Sequence, residues 1–174
     1  MLFYNLEGSS FSNNLQVQLN YEFAKGAEVR FAYKNYDVKV DYLKGRLQKA
    51  LLPEHRFFAN LSYETTPTLK GAQWRFDYTF NWLGEQRLPF TASNPIEDRL
   101  EEYAPSYSLM NAQVARVFSD KFEIYVGGEN LTGFTQENPI LASENPFGPN
   151  FDTSIVYAPI LRSMYYAGLR FKIK

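Results

Sequence analysis

The chain has 174 residues, a formal charge of −1 and a mean hydropathy of −0.38; 17% of it is Phe, Trp or Tyr, and it has no cysteine. Such a length suits one domain with a sizeable core. The charge leaves no basic footprint for nucleic acid, and the lack of cysteine excludes a disulfide framework or a thiolate metal site. No apolar run approaches the roughly 18 residues of a membrane helix, yet the hydropathy also suits a transmembrane β-barrel, in which only alternate residues meet lipid.

The opening MLFYNLEGSS has neither the charged nor the apolar region of a secretory signal. The runs that follow alternate with a period of two, the pattern of strands with one apolar face. In NLQVQLNYEF, Leu15, Val17, Leu19, Tyr21 and Phe23 oppose Gln16, Gln18, Asn20 and Glu22. AEVRFAYK sets Val29, Phe31 and Tyr33 against Glu28, Arg30 and Lys34, and FFANLSYE sets Phe57, Ala59, Leu61 and Tyr63 against Phe58, Asn60, Ser62 and Glu64. The clearest run is QWRFDYTFNW, where Trp74, Phe76, Tyr78, Phe80 and Trp82 alternate without fault with Gln73, Arg75, Asp77, Thr79 and Asn81. LMNAQVARVF is weaker, with Arg116 on the face of Val114 and Phe118; FEIYVGGENL groups Phe122, Ile124 and Val126. The last run places Tyr165, Ala167, Leu169, Phe171 and Ile173 opposite Tyr166, Gly168, Arg170 and Lys172. This gives seven strands, or eight if residues 2–8 form their own; a bulge or turn near Gly8 accounts for the lost register between FYNLEGSSFSN and LQVQLNYEF.

The connections alternate strictly. Short ones fall at 24–26, 66–71 and 119–121, long ones at 37–55, 84–105 and 132–162. Loops beyond about 15 residues are uncommon in compact domains. Long loops at one end and tight turns at the other give the plan of an outer-membrane meander, so the expected fold is an all-β, antiparallel transmembrane barrel meander. Arg116 on its lipid face then belongs near the rim, three residues before the SDK turn, where it reaches headgroups by snorkelling.

YYAGLRFKIK resembles the C-terminal assembly signal of bacterial outer-membrane proteins, with Tyr166, Gly168, Phe171 and Ile173 in its defined places and Lys174 where many members end on an aromatic. YVGGENLTGF resembles the segment near the end of TonB-dependent outer-membrane receptors, its turn falling on Glu129, Asn130, Leu131, Thr132 and Gly133. The sequence from FYNLEGSS to the end resembles the tail of such receptors from Bacteroidetes-type bacteria. The resemblance implies a barrel of about 22 strands around a plug, residence in the bacterial outer membrane, and TonB-driven import of a scarce nutrient of the siderophore, cobalamin, glycan or peptide class. Residues 1–174 are then the C-terminal part of the barrel domain. The implied partners are the N-terminal barrel and plug segments absent from this chain, the TonB system acting through that plug, outer-membrane lipid, and a surface lipoprotein.

Arg30, Arg75, Asp77 and Glu129 are candidates to face the lumen, with wall ion pairs the more ordinary use of such groups. Phe134, Phe147, Phe151 and Tyr157, in a loop punctuated by two ENP motifs, are candidates for ligand or partner contact, with self-packing the plainer reading. No catalytic constellation is visible: His55 is the only histidine, Glu101 and Glu102 lie in a loop, and Gly127 and Gly128 lie within a strand. The expectation is a non-enzyme without cofactor or metal. Two rivals share the alternation: a complete eight-stranded outer-membrane barrel, with residues 2–8 pairing with 163–173, and a soluble ligand-binding β-barrel with its aromatic face inward.

Overall fold

The computed structural model describes residues 8–42 and 45–173. Seven long strands form one antiparallel meander: β1 (Ser10–Ala24), β2 (Ala27–Tyr42), β4 (His55–Glu64), β5 (Gln73–Leu83), β8 (Tyr107–Ser119), β9 (Phe122–Glu129) and β10 (Met164–Phe171). A short β3 (Gly45–Gln48) extends the sheet by pairing with β2, and β6 (Gln86–Arg87) pairs with β7 (Tyr103–Ala104) outside it. The strand order follows the sequence pattern, and the sheet is all-β and antiparallel. It does not close: β1 and β10 remain the two ends of the path, so the expected barrel is an open sheet in this chain.

One other expectation is corrected. The register of β1 against β2 runs unbroken from Ser10 to Glu22 and shifts between Glu22 and Ala24, at the turn. Of residues 2–8, invoked for an eighth strand, 2–7 lie outside the described residues, and Gly8 is a bend. The supposed loop at 37–55 is largely strand, because β2 continues to Tyr42 and β3 folds back on it. The apolar phase inverts there. Val29, Phe31 and Tyr33 share a face with Asn35, Asp37, Lys39 and Asp41, while Tyr36, Val38, Val40 and Tyr42 occupy the other. Side chains of a strand alternate faces, so the extension keeps its backbone pairing while exchanging which side is apolar.

Register keeps one apolar face from edge to edge. Directly opposed residues run from Tyr21 through Val29, Leu61, Tyr78, Ala112 and Gly128 to Tyr165. Tyr21 is near the short-turn end of β1, whereas Tyr165 is at the opposite end of β10. From Leu15 to Phe23 on β1, or Trp74 to Trp82 on β5, the apolar stretch measures about 27 Å along the strand, near the ~25 Å lipid band of outer-membrane barrels.

The three short connections lie together. Glu64 donates its backbone N–H to Gly26 at 2.7 Å, Gly71 abuts the Asp120 side chain, and Lys172 donates to the Lys121 carbonyl at 2.9 Å. At the other end the long connections pack on each other. Leu88, Ala104, Leu141 and Ile155 form a buried cluster, with Leu51, Leu100 and Tyr157 against it. The apolar core therefore sits in the loops, while the large apolar residues of the sheet stay exposed, Leu19 at 57% and Tyr165 at 77%.

Candidate functional site

The polar face of the sheet carries the charged candidates. Arg30, Arg75, Asp77 and Glu129 all fall on it by register. Arg75 Nε lies 3.3 Å from Glu64, its opposed residue on β4, and Arg75 Nη1 reaches 3.6 Å to Glu123 on β9. Arg170 on β10 approaches the same Glu123 carboxylate at 3.2 Å. Ala115 on β8, opposite Arg75 and almost fully buried, lets these groups meet across the strand between them. An ion-pair chain thus runs Glu64–Arg75–Glu123–Arg170, from β4 to β10. Asp77 accepts from the buried Asn60 amide at 3.1 Å, and the same amide donates to Thr79 and to the Tyr78 carbonyl. Arg30 pairs with Glu28 on its own strand at 2.7 Å. Two shallow concavities, of about 290 and 370 Å³, lie along this face and share Arg75. Of the four candidates, Arg75 and Asp77 line one concavity together, while Arg30 and Glu129 line neither.

The terminal strand is tied to β9 by two reciprocal aromatic–glycine pairs. Tyr166 faces Gly127 and Gly168 faces Tyr125. A Cβ at either glycine would overlap the opposing ring, so the absence of a side chain is what lets each tyrosine lie flat over its neighbour. The two rings meet edge on at 6.3 Å, and the Tyr166 hydroxyl donates to Gln113 at 3.0 Å. Phe171 lies on the opposite face with its ring 6.4 Å from Phe122; Ile173 is almost wholly exposed.

Asn130 organises the start of the last long loop. Its backbone is left-handed (φ 49°), a conformation Asn tolerates better than most residues. Its buried side-chain amide donates to the carbonyls of Phe134 at 2.8 Å and Leu161 at 3.1 Å, while its oxygen accepts from Thr132 at 2.9 Å. One amide therefore holds both ends of the loop. Gln136 does the same further out: its amide donates to the Ile155 carbonyl at 2.8 Å, and its oxygen accepts from the Tyr157 N–H at 2.8 Å. The isolated bridge Leu141–Asp152 closes the tip.

The four aromatic candidates of that loop part company. Phe134 stacks on Tyr107, centroids 4.7 Å apart and planes parallel within 1°. Tyr157 packs against the buried cluster, and its carbonyl accepts from the Tyr107 hydroxyl at 2.8 Å and the Gln86 amide at 3.1 Å. Burial pushes the phenols of Tyr107 and Tyr157 above their ordinary range. Phe147 is fully exposed and Phe151 is 37% exposed.

Arg87 was not singled out from sequence. It is only 8% exposed, donates to the Gln48 carbonyl at 2.5 Å and places its guanidinium 5.1 Å above the Tyr42 ring, joining the second loop to the β2–β3 hairpin. Its partners lie far away in the chain, so no local pattern marks it. A cleft of about 370 Å³ between the loops is bounded by Arg99, Tyr103, Phe134, Glu137 and Tyr157. Among the described residues no group of three or more His, Asp or Glu side chains is placed to hold a metal ion.

No protein-family model, no curated protein and no solved structure matches this chain.

Proposed function

We propose that this chain is a sector of a transmembrane β-barrel, and within that class part of a TonB-dependent outer-membrane receptor that imports a scarce nutrient. The observation that carries the membrane reading is the apolar face kept in register across all seven strands. It ends where β2 changes phase at Asn35, opposite Leu15. An apolar patch of such extent is far larger than water-soluble monomers present. Lipid satisfies it; an aqueous surface does not. The unpaired edges of β1 and β10 cannot stay open in hydrocarbon, so further strands complete the wall. The receptor assignment rests on the terminal-strand pattern and on the ENLTG turn. The Asn130 clasp gives that turn a physical task, because it gathers both ends of the 34-residue connection between β9 and β10. A soluble ligand-binding barrel would gather the aromatic face inward, and the exposure of Trp74, Phe76 and Tyr78 argues against it.

In this reading the polar face lines the lumen, its ion-pair chain stiffens the wall against the plug, and the packed loops form the outer surface that meets ligand. Four measurements test it. The protein should resist extraction from washed outer membranes, and protease added to intact cells should cut the connections at 84–106 and 130–163 but leave the short turns intact. A chain that is folded and monomeric in water without detergent sinks the membrane reading. Disruption of the gene should abolish TonB-dependent uptake of one limiting nutrient; unchanged uptake across the four nutrient classes sinks the receptor assignment alone.

A further inference from the structure

Arg116 is a cation on the face proposed to meet lipid. Its opposed residues are Trp74 on β5 and Ile124 on β9, and it shares its own strand's face with Val114 and Phe118. The guanidinium lies 5.0 Å above the Trp74 ring and 5.7 Å from the Phe118 ring. Rings engage the faces of a guanidinium and leave its N–H edges free. Among the described residues no carboxylate lies within ion-pair distance of it. The nearby acids are turned elsewhere: Glu123 is on the polar face between Arg75 and Arg170, and the Asp120 carboxylate faces Gly71.

We propose that Arg116, seated on Trp74 and Phe118, binds the headgroup phosphate of a glycerophospholipid at the short-turn rim. The proposal rests on the membrane reading above and names the ligand of one point on that face. The site has the needed parts in the needed order. The fork of N–H groups matches phosphate oxygens in pairs. Apolar side chains lie beneath it for the acyl chains: Val114 and its opposed residue Val126 continue the face toward mid-band. The adjoining turns hold exposed Lys25, Lys70 and Lys121, which favour an anionic headgroup at this rim. A free phosphate ion has no reason to prefer this apolar surround over water, whereas a lipid phosphate is delivered to it by its own chains.

The test uses the whole barrel of which this chain is a sector, with every tryptophan but Trp74 replaced by phenylalanine, refolded into vesicles of a phosphate-free galactolipid containing a minor fraction of brominated phosphatidylglycerol. Trp74 quenching should report about fivefold enrichment of the phospholipid beside it. Arg116→Gln should return the quenching to that of random mixing, and Arg116→Lys should keep part of it. Equal enrichment in the wild-type and Arg116→Gln chains overturns the proposal, as does loss of enrichment on adding millimolar inorganic phosphate, which would mark a free-anion site. A separate arm with brominated galactolipid alone separates the two readings: if no acyl bromine quenches Trp74 at any depth, the membrane reading fails, not only this site.

Discussion

The strands and the loops of this protein solve burial in opposite ways. In the sheet, backbone ladders and cross-strand pairs hold the structure, such as the Phe31–Phe57 and Tyr63–Phe76 stacks at 6.2 and 6.1 Å, while the large apolar side chains remain uncovered. In the loop cap the proportions reverse. There is little regular structure, but Leu88, Leu141 and Ile155 are nearly inaccessible, and Arg87, Asn130 and Gln136 are buried with their polar atoms bonded to backbone. Buried polar groups must be paired, and in a loop without ladders side-chain amides take the ladder's place. The difference teaches that one chain buries apolar surface in one region and leaves it open in the other: the cap carries its own core and the sheet face carries none, as the lipid-facing role proposed above requires.

The largest expected effect attacks the cap. Leu88→Ala removes a side chain that is 4% exposed at the centre of the loop cluster, and should destabilise the cap by about 2–5 kcal/mol. Limited proteolysis of the connections at 84–106 and 130–163 should accelerate, while the strand signal in circular dichroism stays unchanged. Simultaneous loss of the strands would mean that cap and sheet form one cooperative core, and the contrast would fall.

The next prediction attacks the sheet with two adjacent substitutions. Leu19→Arg puts a charge at mid-height of the apolar face; Gln18→Arg puts the same charge on the other face of the same strand. In bilayers the first should cost about 2–4 kcal/mol, with the second near zero, as measured by urea titration of vesicle-folded protein. Equal effects would show that the two faces see the same medium.

Asn130→Ala tests whether the cap depends on its hinge. Three hydrogen bonds of the side chain vanish, and two loop carbonyls lose its amide, while the Thr132 hydroxyl keeps the Ser108 carbonyl at 2.8 Å. Alanine also fits poorly at φ 49°. A loss of about 1–3 kcal/mol, confined to the connection between β9 and β10, is expected in hydrogen exchange.

The sheet was largely legible in the sequence because each strand announces itself locally: five aromatics on alternate positions of QWRFDYTFNW need no distant information. Strand pairing followed from the short turns. Legibility failed where the local signal changed meaning. Beyond Tyr33 the alternation continues but its apolar members move to the other face, so the strand seemed to end when only its surroundings had changed. Closure failed for another reason: whether the edges of β1 and β10 meet depends on the curvature and stagger of the whole sheet, which no periodicity within a strand reports. The cap was the least legible part. Gln86 finds Tyr157 at a separation of 71 residues, and Arg87 finds Gln48 at 39. The sequence displays the punctuation of these loops, the ENP motifs and the ENLTG turn, but not which loop leans on which.

The smallest prediction uses pH to separate the cap from the β2–β3 hairpin beside it. The Arg46 guanidinium, bonded to Asp41 at 2.7 Å, holds that carboxyl below its ordinary value of 3.8, and the Ser9 N–H adds to the effect. A depressed carboxylate contributes stability that is complete above the unfolded value and is lost as pH falls through the folded one. The hairpin should therefore loosen only below about pH 4, reversibly and weakly, since the pair is open to solvent. The phenols of Tyr107 and Tyr157 are displaced upward by burial, so their contribution is complete below about pH 10 and lost above it. Acid should thus loosen residues 36–48 first and alkali the Tyr107–Tyr157 contact first, read as separate sets of amide exchange rates. If both regions open at the same pH, they are one unit, and the hairpin belongs to the cap rather than to the sheet whose ladder it extends.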